Sequence, residues 1–198
     1  MATTSASTGK QSRQRVPASE RRAALIEAAV HEFAKGGLHG TPVDRIARRV
    51  GVAQPYVFSL FPNKRELFLA AVERGFELIA DTFTRAADAF DPALAEPDAD
   101  VLTAMGHEYV QILDTHRDYL MLQHQAYAAC DDELIRDRVR ALYAGLVAHV
   151  DRLSGADPER IDEFFRYGMW LNVAAAMEVE DLSVGCEWMR EEFRGDPD

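Results

Sequence analysis

Apolar residues recur with helical spacing along nearly the whole chain, and no long stretch alternates in the way a strand would. The pattern predicts about nine helices, at residues 18–35, 42–50, 53–60, 64–89, 101–115, 117–130, 132–153, 158–179 and 183–193. Gly36-Gly37 is expected to end the first helix, and Asp157-Pro158 to begin the eighth. The segment 91–100 is rich in Pro and Asp and is the expected loop of the C-terminal part. The predicted fold class is therefore all-α.

Residues 41–67 predict two short helices joined by a tight turn, followed by the start of a third helix. Thr41 is expected to cap the first of these helices with its hydroxyl, and Pro42 suits the first helical position. Gly51 falls at the turn, where a left-handed backbone costs little. A short second helix with a polar and aromatic free face is what a protein needs to read the major groove. Residues 18–63 are thus predicted to form a helix-turn-helix DNA-binding domain.

The free face of the second helix supplies the candidate base-reading residues. Gln54 could pair through two hydrogen bonds with an adenine or contact a phosphate, and Tyr56 could offer its hydroxyl to phosphate or its ring to a thymine methyl. Phe58, with its apolar neighbours Val57, Leu60 and Phe61, is expected in the core. The candidate DNA-contacting residues are Thr41, Arg45, Gln54, Pro55, Tyr56, Ser59 and Lys64.

Charge divides the chain into two unlike parts. The first 75 residues carry 12 Lys/Arg and 6 Asp/Glu, whereas the remainder carries 10 Lys/Arg and 27 Asp/Glu. The whole chain has a net charge of −11. Because phosphate repels an acidic surface, DNA is expected to meet only the N-terminal end. Residues 1–17 are basic, rich in Ser and Thr, and predicted to form a disordered arm.

The helix-turn-helix region resembles the DNA-binding motif of the TetR (tetracycline-repressor-like) family. The resemblance covers about residues 20–68 and rests on Thr41, Ile46, Ala47, Gly51, Val52, Phe61, Lys64 and Leu67. Two departures remove hydroxyl groups that would meet phosphate: Ala53 replaces the usual Ser or Thr cap, and Phe58 stands where the family commonly has Tyr. The resemblance implies a homodimeric transcription regulator, with Lys64 contacting phosphate. More often than not, such a protein is a repressor that a small effector releases from a near-palindromic operator.

The resemblance also implies that residues 64–198 form an effector-binding and dimerisation domain. Most large residues there are expected to form a bundle core, but some would line a pocket suited to an apolar or aromatic effector. The pocket candidates are Phe83, Met105, Tyr109, Met121, His124, Tyr127, Tyr143, Trp170 and Asn172, with Gln123 as a further polar contact. Small residues among large ones on the last two helices indicate close helix packing. The dimer-interface candidates are Phe165, Gly168, Asn172, Ala175, Ala176, Trp188 and Met189.

Catalytic patterns are missing from the sequence. No His follows a Glu at the spacing of a di-iron site, and neither a zinc-protease motif nor a phosphate-binding glycine loop occurs. The pairs His31-Glu32 and His107-Glu108 are expected on helix surfaces. An enzyme is therefore disfavoured, and neither a metal nor a cofactor is expected. A constitutive DNA-binding scaffold without an effector pocket stays open as an alternative.

The remaining features concern the cellular setting. Cys130 and Cys186 lack metal-like spacing, which suits a reducing cytoplasm. No apolar run reaches the ~20 residues that a membrane span needs. The expected partners are a DNA operator, a second copy of the chain and an unidentified small molecule, with no membrane.

Overall fold

The protein's structure, a computed structural model, describes residues 17–95 and 99–179. These ranges form eight helices and no strand: α1 (Ala18–Gly40), α2 (Val43–Val50), α3 (Gln54–Leu60), α4 (Lys64–Ala89), α5 (Val101–Thr115), α6 (Arg117–Ala128), α7 (Glu133–Ser154) and α8 (Pro158–Ala176). The all-α prediction is confirmed. The predicted helix at 183–193 lies outside the described residues, as does the predicted N-terminal arm up to residue 16.

Helix α1 continues beyond its predicted end. Gly37 adopts a non-helical backbone with φ 61° and ψ −173°, but one further turn follows it and reaches Gly40. That last turn is retained because Leu38 is buried in the core. Gly36 has a separate role, since a Cβ atom there would lie 2.6 Å from Oγ1 of Thr41. The glycine pair therefore kinks α1 and lets the following segment pack closely against it.

Side-chain caps mark the starts of α4, α5 and α8. Asn63 Oδ1 accepts the backbone N–H of Glu66 at 2.9 Å and starts α4. Asp100 and Thr103 form a reciprocal capping box at the start of α5. Asp157 caps α8 and Pro158 takes the first helical position, as the sequence predicted.

A single apolar core runs through the described helices. Phe33 of α1 packs edge-on against Phe68 of α4 with ring centroids 5.1 Å apart, and the buried cluster continues into α5, α6, α7 and α8. Helix α1 contacts α4 and α6 as well as α2. The boundary between residues 63 and 64 stays a prediction, and the core crosses it without a break.

A polar network lines the contact between α1 and α6. His31 Nδ1 lies 2.5 Å from Asp118 Oδ2, and Lys35 Nζ lies 2.8 Å from the other ring nitrogen of His31. His31 was expected on a helix surface, but its side chain is only partly exposed and its ring joins two helices. None of the described helices combines the length and the apolar character needed to span a bilayer.

Candidate nucleic-acid interface and ligand cavity

The turn between α2 and α3 sets the angle of the second short helix. Gly51 is left-handed (φ 71°, ψ 33°), and its N–H donates to Arg48 O at 3.1 Å. The N–H of Val52 donates to Ala47 O at 3.0 Å, which closes the end of α2. Pro55 lies in the first turn of α3, where its missing N–H costs nothing.

Helix α3 turns one side to the core and the other to solvent. Val57 is 1% exposed, Phe61 just after the helix is buried, and Leu60 is half-buried. Phe58 is 41% exposed, so its assignment to the core was wrong. The reason is helical geometry. Phe58 follows Gln54 by four residues, about 40° around the helix axis, and shares its outward side.

The other candidates on α3 differ in how far their side chains are exposed to solvent. Gln54, Pro55 and Ser59 are exposed, whereas Tyr56 is half-buried on the flank of the helix. The Ser59 hydroxyl donates to the Tyr56 carbonyl at 2.7 Å, which leaves its oxygen as an acceptor only. Gln54 is thus the outward polar side chain best suited to base recognition on this helix.

Thr41 does not cap α2. The residue before α2 is Pro42, which makes no side-chain capping bond, and Thr41 is buried with its hydroxyl donating to Glu32 O at 3.1 Å. Its predicted phosphate contact does not fit this arrangement, because the hydroxyl points into the protein. Thr41 instead fastens the end of α1 to the start of α2.

Glu32 is buried rather than on a surface, which corrects the expectation for the His31-Glu32 pair. It is 6% exposed, and its carboxylate lies 3.3 Å from Arg49 Nη1 and 3.7 Å from Arg45 Nε. A buried carboxylate needs such partners because desolvation is costly. Arg45 keeps about half of its side chain in solvent, so it remains near the interface as a positive charge. The inward helical stripe of Leu25, Ala28, Ala29 and Phe33 already includes position 32, a signal that could have found Glu32.

Lys64 joins the two ends of the DNA-binding region. Its Nζ donates to the carbonyl of His39 at 3.2 Å, which links the last turn of α1 to the first turn of α4. Burial lowers the pKa of the Lys64 ammonium. The side chain is half-buried and remains at the surface from which a phosphate could be approached.

A cavity of about 890 Å³ lies among α4, α5, α7 and α8, with Gln123 of α6 also in its lining, and is called here the α5–α8 cavity. Five of the nine pocket candidates line it: Phe83, Tyr109, Tyr143, Trp170 and Asn172. Met105 instead lies fully buried in the bundle core. Met121, His124 and Tyr127 belong to α6 and do not line this cavity. His124 Nδ1 bonds to Leu120 O, and Tyr127 accepts from Gln123, which is itself a lining residue.

The lining combines aromatic side chains with one buried hydrogen-bonded pair. Phe83 packs against Phe164 and Tyr109 with centroid separations of 5.5 and 5.9 Å. The Tyr109 hydroxyl donates to Asn172 Oδ1 at 2.5 Å, and burial raises the pKa of Tyr109 well above its usual value. At the rim, Arg160 forms an ion pair with Asp100 at 2.8 Å. The sequence did not single out Phe164 or Arg160 as lining residues, because helical periodicity does not show which neighbouring helix a residue faces.

The structure divides the dimer-interface candidates. Asn172 and Ala175 are buried within the chain, so their assignment to an intersubunit surface was wrong: they face the neighbouring helices. Phe165 is half-buried against Tyr143 and Phe164, and Gly168 and Ala176 are also half-buried. Trp188 and Met189 lie outside the described residues. The large apolar side chains exposed here are Tyr167 and Val173 of α8 and Met177 just after it.

Comparison with known proteins agrees with this architecture. Residues 25–71 match the family model described as bacterial regulatory proteins, tetR family. The transcriptional activator FasR of Mycolicibacterium smegmatis is 39% identical over 66 residues, which cover 33% of this chain and 30% of FasR. The transcriptional regulator RutR of Escherichia coli is 32% identical over 113 residues, which cover 57% of this chain and 47% of RutR. The matches therefore span less than half the length of these curated relatives.

Solved structures share the fold over most of the chain. A TetR-family member from Streptomyces coelicolor superposes with a TM-score of 0.67 at 20% identity, covering 87% of this chain and 97% of that one. FadR from Bacillus subtilis, solved in complex with stearoyl-CoA, superposes with a TM-score of 0.64 at 14% identity, covering 88% and 99%.

The α2–turn–α3 unit thus has the geometry of a helix-turn-helix. Over residues 25–71 the chain is similar to the DNA-binding domain of the TetR family of bacterial regulatory proteins. The curated relatives that it matches are transcription regulators rather than enzymes.

Proposed function

We propose that the protein is a cytoplasmic, dimeric repressor that binds a near-palindromic operator and leaves it when a small apolar or aromatic effector binds the α5–α8 cavity. One observation carries this proposal. Helix α4 begins at Lys64, beside the DNA-binding helices, and presents Ile79 and Phe83 to the cavity. Its 26 residues span about 39 Å, so one rigid element connects the two sites.

The proposed DNA contacts divide by chemistry. Gln54 and Phe58 on the outward side of α3 face bases, whereas Lys64, Arg45 and the basic arm supply charge toward phosphates. Pro55, Tyr56 and Ser59 complete the surface around them. The acidic body stays away from the duplex because phosphate repels it.

Dimerisation would place two such surfaces on one duplex. The exposed Tyr167 and Val173 of α8 and Met177 just after it, together with the predicted helix at 183–193, would form the contact between two copies. Two-fold symmetry then sets the two α3 helices about 34 Å apart, one turn of DNA.

The effector would act by preferring the conformation that does not fit DNA. It shifts the equilibrium only as far as its affinities for the two conformations differ. Occupation of the cavity beside Phe83 would tilt α4 and change the separation of the two α3 helices. The complex of FadR with stearoyl-CoA supports a ligand site in a protein of this fold.

The experiment has two stages. The purified protein is first used to select duplexes from a random pool, and we expect an inverted repeat with half-sites about 10 base pairs apart. Failure to enrich any sequence over random competitor at modest salt would contradict the DNA-binding proposal. In the second stage, metabolites are screened for compounds that both raise the melting temperature and release the selected duplex.

A cavity-filling variant tests the ligand site. Val110 lines the cavity, so Val110→Trp should keep operator binding and lose the response to the released compound. Ala144→Trp, at an exposed position on α7, is the matched control and should keep both. Retained compound response in Val110→Trp, or a library without any releasing compound, would favour the constitutive scaffold.

A further inference from the structure

Phe58 places an exposed aromatic ring on the outward side of α3. It is the fourth residue after Gln54, so it lies about 6 Å further along the helix on nearly the same face. Its neighbours on that face, Pro55 and Ser59, are also exposed. The inward side of α3 is filled by Val57 and Leu60, and Phe61 follows as a further core residue.

The ring offers one kind of interaction to a duplex. Phenylalanine has neither a donor nor an acceptor, so it cannot hydrogen-bond to a phosphate or to a base edge. The apolar group that the major groove presents is the C5 methyl of thymine. A ring packed on that methyl would distinguish thymine from the other three bases.

We propose that Phe58 reads a thymine through its 5-methyl group, one or two base pairs from the base that Gln54 contacts. This inference rests on the proposed function, since it requires α3 to lie in the major groove. Phe58 is thereby a specificity-determining residue. The short sequence that α3 recognises would be read by a polar contact from Gln54 and an apolar contact from Phe58.

The test removes the methyl group alone. After selection of the preferred duplex from a random pool, each thymine in a half-site is replaced in turn by deoxyuridine, which keeps every hydrogen-bonding group. We expect one position at which the substitution weakens binding about fourfold per half-site, the loss expected for one buried methyl. At other positions the affinity should stay within twofold.

Variants assign that loss to Phe58. Phe58→Ala should bind the thymine and deoxyuridine duplexes equally and should accept other bases there in a repeated selection. Phe58→Tyr should keep the discrimination because it keeps the ring. Because Phe58 is exposed, these variants should match the wild-type melting temperature and circular dichroism, which is checked first.

Two controls separate Phe58 from its neighbours. Pro55→Ala and Ser59→Ala should both retain the difference between thymine and deoxyuridine. Discrimination lost in Pro55→Ala and kept in Phe58→Ala would overturn the inference. Equal affinity of the wild type for thymine and deoxyuridine at every position would also overturn it, with the selected motif and the proposed function intact. A selection that enriches nothing would instead remove the proposed function itself.

Discussion

Glu27 of α1 accepts a hydrogen bond from the hydroxyl of Tyr119 of α6 at 2.6 Å, across 92 positions of sequence. The same carboxylate also accepts a hydrogen bond from Arg74 Nε of α4 at 3.1 Å. One side chain of the first helix therefore holds two helices of the body. Burial and the neighbouring carboxylate both raise the pKa of Tyr119, so its hydroxyl stays protonated and remains a donor.

Removing this hydroxyl should loosen the contact between α1 and α6. We expect Tyr119→Phe to lower the free energy of unfolding by about 1 kcal/mol, the usual value for such a bond at a partly exposed site. Denaturant titration measures the change, with Tyr56→Phe, at a half-buried tyrosine of α3, as the matched control. An equal loss when Glu27 is already replaced by Ala would mean that the two residues do not interact.

Substitution of Gly37 should lower the free energy of unfolding more than substitution of Gly40, three residues later. A side chain at Gly37 would need a backbone conformation that is essentially restricted to glycine, and its Cβ would meet the Gln125 amide oxygen. We expect Gly37→Ala to cost about 1–3 kcal/mol of unfolding free energy. Gly40→Ala should stay within about 0.5 kcal/mol, because no atom lies within 4 Å of its Cβ position.

A second variant separates the two causes at Gly37. Adding Gln125→Ala would remove the steric overlap while the backbone strain remains. A double variant restored fully to the Gln125→Ala value would mean that the backbone conformation costs nothing.

Thr41 should act on stability rather than on phosphate. Thr41→Val keeps the shape and removes the hydroxyl, which leaves Glu32 O without that donor and costs about 1–3 kcal/mol. Thr41→Ser, which keeps the hydroxyl, should retain the bond. The salt dependence of DNA affinity decides the role. If the slope of log affinity against log salt concentration is about 0.9 less steep in Thr41→Val, a phosphate contact has been lost, which would contradict the buried role.

Gln54 should contribute to discrimination between sequences. Gln54→Ala is expected to lower the preference for the selected duplex over random duplex by about 1–3 kcal/mol if the amide pairs bidentately with a base. Competition binding at fixed salt measures that preference. Equal losses on both duplexes would show that Gln54 only positions the protein.

Tyr109 and Asn172 should behave as a unit. Asn172→Leu leaves a buried hydroxyl without its acceptor and should cost about 1–3 kcal/mol, whereas Tyr109→Phe combined with Asn172→Leu should cost less than the sum of the single changes. Denaturant unfolding at one fixed protein concentration measures each free energy, because dimerisation would shift it. Strictly additive costs would argue against the pair.

The helices and the turn could be predicted from sequence because they depend on local chemistry. The bounds of α4 and α5 follow from periodicity and from caps such as Asn63 and Asp100, and Gly51 marks the turn. It was harder to predict which side of a short helix a residue occupies. In α3, Phe58 was assigned by its apolar character, whereas its position relative to Val57 decides its exposure.

The partners of buried polar groups lay beyond sequence reasoning. Thr41 and Glu32 are nine residues apart and meet only because α1 kinks at Gly37. Asn172 was predicted in both the pocket and the dimer interface. Its hydrogen-bond partner, Tyr109, lies 63 residues earlier in the chain. Such pairings depend on how whole helices pack, which periodicity along one helix does not encode.

The unbroken apolar core between the first three helices and the rest has a consequence for engineering. A transplanted recognition segment would carry Phe33 and the α6-facing side of α1 into a foreign host with nothing shaped to cover them. Chimaeras joined at residue 63 should therefore aggregate unless they also include α4 and α6. The helix-turn-helix domain is thus not expected to fold when transferred alone.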